Sequence, residues 1–313
     1  AWHCTARPWN HWMPRVSIAM PVFNCEKYVA QSLESLLGQT FGDFELVISD
    51  NASTDGTEAV CRRYAALDPR VRFFRRRTNI GGPANFNYSF SLCSGQYVKW
   101  STADDYWHPS FLQEAVDVLD SDADVVLSYP MTRLIDADGK TLSDYEDSLS
   151  LVDPSPRVRF RELYKRIGLC NAQLGLLRRD AMLKTRLFSG HLACDADFLG
   201  EMALLGKFRL LPNVRFYRRM HPDSSSWARD DPEHQRKFYA PGAGAGSDLH
   251  ASRRIMFQLG AVWRSPIGLA DKLALTTDVA RWARYQRHIL LQEIMAGMRR
   301  RGFSDHHQPI NKH

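Results

Sequence analysis

What most constrains this chain is a repeated hand-over: a short apolar run, a stop in small or polar residues, then apolar residues at helical spacing. Val16–Met20 reads as a first strand ended by Pro21, after which Tyr28, Val29, Leu33, Leu36 and Leu37 fall on one helical face. Phe44–Ser49 reads as a second strand that stops in the acidic stretch Asp50-Asn51-Ala52-Ser53-Thr54-Asp55-Gly56-Thr57. Val71–Arg75, Gln96–Ser101 and Asp124–Ser128 continue the series, with helices expected over Thr57–Ala66, Ala84–Cys93 and Pro109–Leu119. This is the pattern of an α/β sheet with crossover helices. Ligands of open α/β sheets bind outside the carboxyl ends of the strands, so the loops beginning at Pro21, Asp50 and Ala103 should line one cleft.

From Thr132 to Asp153 the pattern loses regularity and reads as a surface excursion. A strand is then expected at Asn171–Leu177, a helix at Asp195–Leu205 and an extended segment at Phe208–Met220. The run Pro241-Gly242-Ala243-Gly244-Ala245-Gly246-Ser247 reads as a flexible joint. Beyond it, Leu269–Met298 mixes Leu, Ile, Trp and Met with Arg and Lys at helical spacing, which fits a helix packed on the core or one lying on a membrane surface. These features divide the chain into an N-terminal arm (1–14), an α/β domain (15–240) and a linker with a helical extension (241–313), frayed from Gly302.

With 313 residues, 44% of them hydrophobic, a sizeable core is expected. The net charge of +6 is modest, and the clusters Arg75-Arg76-Arg77 and Arg299-Arg300-Arg301 match no nucleic-acid-binding module, so no nucleic-acid partner is expected. Six cysteines without a CxxC pair read as free thiols of a reducing compartment. No apolar run reaches the roughly 18 to 20 residues a membrane span needs, and residues 1–15 lack the order of a signal peptide. The expected location is cytoplasmic, with peripheral contact at the inner membrane face through the basic C-terminal helix; oligomeric state is not indicated.

Asp104-Asp105 ends a strand, and two adjacent carboxylates there repel unless a cation or a donor sits between them. Hard cations such as Mg²⁺ or Mn²⁺ bind through one or two carboxylates plus substrate phosphates, although paired acids in a loop also serve as solvated or capping groups. Asp50 and Asn51 can read a base edge or a ribose hydroxyl, or simply build an Asx turn. Asp195 can act as a base or stabilise the helix amino terminus it occupies.

The blocks Pro21-Val22-Phe23-Asn24, Ser35-Leu36-Leu37-Gly38-Gln39-Thr40, Phe44 to Thr57, Asn79-Ile80-Gly81, Gly95-Gln96-Tyr97 and Ala103-Asp104-Asp105 resemble, in order and spacing, glycosyltransferase family 2. The resemblance is close over Val16–Trp107 and sparser to about Trp227. It implies a GT-A fold, here a mixed sheet flanked by helices with a C-terminal helical extension, a nucleotide-sugar donor with UDP favoured, and inversion at the anomeric carbon. Pro21, Phe23 and Asp50 would hold the nucleoside, with Asn51 and Asn87 beside them. Asp104 would contact ribose or donor sugar, and Asp105 would be the metal ligand. Asp195 would be the base that deprotonates a carbohydrate, lipid-linked or other small acceptor in polysaccharide, glycolipid or other glycoconjugate synthesis. In Tyr217-Arg218-Arg219-Met220-His221-Pro222 the resemblance places Arg218 at the diphosphate and His221 at metal or diphosphate, with Ser224-Ser225-Ser226-Trp227 as a lid. Asn51 stands where many members carry a second Asp, and Phe86 where many carry Arg.

Trp100 inside its strand is expected in the core, while Tyr106 and Trp107 suit either core or sugar stacking. A protein that holds a nucleotide sugar or polysaccharide without turnover would share these residues; metal-dependent donor hydrolysis discriminates the two. A dinucleotide enzyme is disfavoured, because no GxGxxG follows the first strand and no GxxxxGK[ST] occurs.

Overall fold

Strands β1 (Val16–Val22) and β2 (Phe44–Asp50) are buried at every position, so their unbroken apolar runs are covered on both faces. The structure, a computed structural model, describes residues 13–145, 148–222, 224, 227, 238, 250–293 and 295. β1 and β2 pair in parallel, Val16 opposite Phe44 and Val22 opposite Asp50. β3 (Val71–Arg75) extends the sheet beyond β2, and β4 (Tyr97–Trp100) adds on the other side of β1, both parallel. Helices α1 (Glu26–Leu37), α2 (Thr57–Leu67), α3 (Gly82–Ser91) and α4 (Phe111–Ser121) cover the sheet, α1 through Val29, Leu33 and Leu36 and α4 through Phe111, Leu112, Ala115, Val116 and Leu119.

The other half of the sheet is mixed. It contains β5 (Tyr106–Trp107), β6 (Val125–Ile135), β7 (Thr141–Tyr145), β8 (Leu176–Arg178) and β9 (Lys207–Arg219). The order is β3-β2-β1-β4-β8-β6-β9-β5, with β7 paired to β6; β8 runs antiparallel to β4 and β6, and β9 parallel to β6. After β1, β2 and β3 step outward, the chain returns to the opposite side of β1 for β4. That reversal parts the loops after β1 and β4 and leaves a crevice at the strand ends.

Several expectations change. The strand expected at Asn171–Leu177 is a 3-10 turn, Asn171–Leu174, followed by the short β8, because Cys170 turns the backbone left-handed at φ 58°. Gly175 then passes so close to β6 that an added Cβ would lie 2.4 Å from the Ser128 carbonyl oxygen. The excursion at Thr132–Asp153 is partly sheet: β6 runs on to Ile135 and forms an antiparallel pair with β7, and Leu149 and Leu151 are buried. The helices α5 (Pro156–Arg166) and α6 (Arg179–Met182) had no clear signal, whereas α7 (Cys194–Leu205) agrees with its periodicity.

Among the described residues the C-terminal extension contains the helices α8 (His250–Arg264) and α9 (Leu269–Tyr285); only the second was expected, and after a turn at Gln286 the backbone is helical again over 287–293. α8 and α9 pack on α5 and α7 around a second core of Phe160, Leu204, Ala261, Val262, Leu275 and Val279. Their outer faces leave Met256, Trp263, Leu269 and Leu273 exposed. Among the described residues no helix is long and apolar enough to cross a membrane, and Cys25, Cys61, Cys93, Cys170 and Cys194 are free thiols. Cys4, most of the N-terminal arm, the 241–247 joint, Ser225, Ser226 and Arg299–Arg301 lie outside the described residues.

Candidate active site

Two cavities of about 560 and 590 Å³ adjoin at the strand ends, each in the range that holds a small ligand. Phe86, Thr102, Asp105, Arg218 and Phe238 border both.

The first cavity is floored by the loops after β1 and β2. Pro21 and Phe23 line it, Phe23 with 44% of its surface exposed. Asn24 and Ala52 both take left-handed φ, 46° and 64°, a cost borne where two loops must interlock. The interlock is explicit: Ser53 Oγ accepts from the Asn24 N–H at 3.0 Å, and Asn24 Oδ1 accepts from the Thr54 N–H at 2.8 Å. Asn51 lines the cavity and ties down the neighbouring loop, donating to Asn79 Oδ1 at 2.8 Å and accepting from the Ile80 N–H at 2.9 Å.

Asp50 lies behind this wall rather than on it. Fully buried, it accepts from the Ser53 N–H and hydroxyl at 3.0 and 2.5 Å and from Arg75 at 2.5 Å. Its charge therefore orders the loop that presents Asn51. Asn87 is also away from both cavities, with its amide spent on the Phe188 backbone, donating at 2.7 Å and accepting at 3.1 Å.

The opposite wall is Thr102 to Asp105 with the end of β9. Asp105 is only 3% exposed; its Oδ1 accepts from the Arg219 N–H at 2.7 Å and its Oδ2 from the Thr102 hydroxyl. Burial, then the neighbouring Asp104 charge, push its carboxyl up to about 7, against the opposing pull of Arg218 and the two hydrogen bonds. Asp104 Oδ2 sits 3.0 Å from His221 Nε2, and the His221 ring packs 4.9 Å from Tyr28. Arg219, a residue the sequence did not single out, clamps the corner by donating to the Asp104 carbonyl at 2.9 Å, Gln31 Oε1 at 2.6 Å and the Asp136 and Ala137 carbonyls. Arg218 donates to the Leu169 carbonyl at 2.8 Å and to Asn171 Oδ1.

This donor set suits a hard divalent cation. A buried carboxyl pushed toward neutrality by a second acid gains most from an added positive charge, and each carboxylate oxygen keeps a lone pair beyond its present hydrogen bond. Among the described residues no three His, Cys, Asp or Glu side chains cluster as a complete site, so phosphate oxygens would have to supply the other ligands.

Asp195, in the first turn of α7, lines the second cavity together with Asp105. Ala193, just before it, is left-handed at φ 62°. Asp197 points away, fully buried, toward His191 Nε2 at 2.8 Å and the Tyr164 hydroxyl at 3.0 Å; Ser189 Oγ lies 2.7 Å from His191 Nδ1. This His191–Asp197–Tyr164 support was missed, because it joins a loop to two helices and leaves no local motif. Trp100 is core, stacked 4.5 Å from Phe188. Trp107 is also core, lying on Phe216 at 4.2 Å and under Lys99 Nζ at 3.1 Å, while half-buried Tyr106 stacks on Tyr217 at 4.5 Å. Ser224 lines the first cavity.

A mixed α/β sheet with a two-part, carboxylate-walled cleft at its switch point defines a ligand-binding α/β class of protein. Residues 17–183 match the profile of Glycosyl transferase family 2, more than half of the chain, and the chain belongs to this family. It is 27% identical over 232 residues to the chondroitin synthase of Escherichia coli, covering 72% of this chain and 32% of that protein. It is 26% identical over 216 residues to the hyaluronan synthase of Pasteurella multocida, covering 68% and 21%. The chain thus spans a third or less of the length of these curated relatives. Among solved structures, S. aureus TarS 1–349 in complex with UDP superposes with TM-score 0.60 at 20% identity, over 86% of this chain and 71% of that one. The mannosyltransferase PcManGT from Pyrobaculum calidifontis, in complex with GDP-Man and Mn²⁺, gives 0.51 at 18%, over 92% and 88%. The fold is the GT-A fold that the resemblance implies.

Proposed function

We propose that this chain is an inverting glycosyltransferase that moves a sugar from a nucleotide diphosphate donor, a UDP-sugar in the favoured reading, to an acceptor hydroxyl during glycoconjugate synthesis. The observation that carries the proposal is the placement of Asp105 on the border of two adjoining cavities with Asp195 in the second. The UDP complex of TarS and the polymer-synthase names of the sequence relatives support the donor and the product class.

In this reading the donor occupies the first cavity, with Phe23 and Asn51 against its nucleoside and Asp104 at ribose or sugar. The diphosphate lies toward Asp105, Arg218 and His221. Mg²⁺ or Mn²⁺, held by Asp105 with His221 or Asp104 nearby, would supply Lewis-acid neutralisation of the charge that develops on the diphosphate. The acceptor enters the second cavity. The Asp195 carboxylate takes the proton of its hydroxyl as the oxygen attacks the anomeric carbon, and the bond to the diphosphate breaks on the opposite side of the sugar. Thr102 and the Arg219 N–H hold the Asp105 carboxyl in one orientation, so the border between the cavities stays rigid.

Asp195→Asn tests the assignment. With the acceptor present, turnover should fall by roughly 10² to 10⁴ while the affinity for UDP is unchanged. Near-normal turnover would remove Asp195 from the role. Slow, metal-dependent hydrolysis of a UDP-sugar by the unmodified protein separates an enzyme from a protein that only holds the nucleotide sugar.

A further inference from the structure

Arg254 belongs to α8, outside the 17–183 stretch matched by the family, yet its side chain lines the cavity that holds Asp195. Its Nε lies 3.5 Å from Asp197 Oδ1, the longest of four contacts to that carboxylate; His191, Tyr164 and Gln258 approach to 2.8, 3.0 and 3.4 Å. His191, Tyr164 and Gln258 share that carboxylate, and Arg254 adds a permanent charge to it through a long ion pair made by Nε alone. Two aromatic rings hold the guanidinium in place, Tyr164 at 5.7 Å and Trp282 at 5.9 Å from its central carbon. Among the described residues its two terminal nitrogens make no hydrogen bond, and the side chain is 28% exposed. A fixed, permanently charged fork of donors in a ligand-sized cavity matches the geometry of a phosphoryl or carboxylate group.

We propose that Arg254 binds an oxyanion carried by the acceptor, so that the second cavity takes an acceptor bearing a phosphoryl or carboxylate group near the hydroxyl that Asp195 deprotonates. This rests on the transferase reading for the word acceptor, but the anion site itself does not. The C-terminal extension then contributes to the choice of acceptor through Arg254.

The test is calorimetric titration of the full chain, with UDP present to fill the first cavity, using three probes at matched ionic strength: inorganic phosphate, methyl glucuronide and the neutral methyl glucoside. Phosphate or methyl glucuronide should bind, whichever carries the preferred oxyanion, and methyl glucoside should not. Arg254→Ala should weaken that binding about tenfold or more, as expected for losing a charged hydrogen-bond partner, and Arg254→Lys by less because the charge remains. The melting temperature and the UDP affinity of both variants report the integrity of the fold and of the other cavity. Oxyanion binding that is absent from the unmodified protein, equal to that of methyl glucoside, or unchanged in Arg254→Ala overturns the proposal. Failure of the unmodified protein to bind UDP would instead overturn the donor reading and leave the phosphate result to stand by itself.

Discussion

Asp105 is the residue whose burial makes least sense without a ligand. A carboxyl 3% exposed beside a second acid costs the empty protein stability, and that cost is recovered only when positive charge arrives. Asp105→Asn should therefore leave the melting temperature of the ligand-free protein unchanged or higher, while abolishing both transfer and the upward shift produced by Mn²⁺ with UDP. A thermal-shift series with and without Mn²⁺ measures both effects. Glu45, at the amino ends of the strands, has the opposite character. Burial raises its pKa, but hydrogen bonds from Ser17, the Ser94 N–H and Arg72 outweigh this and hold it below the usual carboxylate range. A depressed folded-state value adds stability that is present above the unfolded pKa near 4.5 and is lost as pH falls through the folded value. Glu45→Gln should cost about 1 to 3 kcal/mol at pH 7 and progressively less in acid, read by urea denaturation at several pH values.

Among the elements, the α8–α9 pair carries two faces with separate duties. Its inner face supplies Val262, Leu275 and Val279 to the second core, which accounts for the packed helix that periodicity allowed. Its outer face exposes Trp263, Leu269 and Leu273, and Arg253, Arg281 and Arg284 of the same two helices are exposed as well. Two of the acids along the same stretch are engaged, Asp278 with Arg161 at 2.5 Å and Glu293 with the Ala251 N–H at 2.7 Å. We propose that this face makes the peripheral membrane contact, with Trp263 at the interface and arginines toward anionic headgroups. Sedimentation with vesicles rich in phosphatidylglycerol should retain the protein at low salt, and Trp263→Ser with Leu273→Ser should release most of it. Equal retention by neutral phosphatidylcholine vesicles would rule out this electrostatic contact.

At the scale of the whole molecule, two adjoining cavities share a border of side chains, Asp105 and Arg218 among them. At the end of β2 it is Asn51 that faces the first cavity, while Asp50 is used internally, so the choice of nucleotide base is a separate question for experiment. With Mn²⁺, UDP-sugars should raise the melting temperature more than GDP- or dTDP-sugars at equal concentration. A GDP-sugar giving the larger shift would reverse the assignment of the base.

The chain's order of apolar runs and turns was enough to anticipate β1 to β4, their helices and the cleft at their ends, because parallel strands and amphipathic helices write their burial into neighbouring residues. Asp104-Asp105, Asn51 and Asp195 stood out only through the order and spacing of the blocks that resemble the family, because each by itself also reads as a loop, turn or helix-terminus residue. Local pattern failed at Asn171–Leu177, where the close pass of Gly175 over Ser128 comes from a strand nearly fifty residues earlier, and it gave no sign of the internal hydrogen bonds that hold Asp50 and Asn87. Arg219, His191 and Arg254 acquire their roles only when β9, the loop before α7 and α8 are brought against the cleft. Hydrogen bonds and ion pairs between residues tens to more than a hundred positions apart have no periodicity to announce them, so folding alone decided which charges face a ligand and which hold the walls.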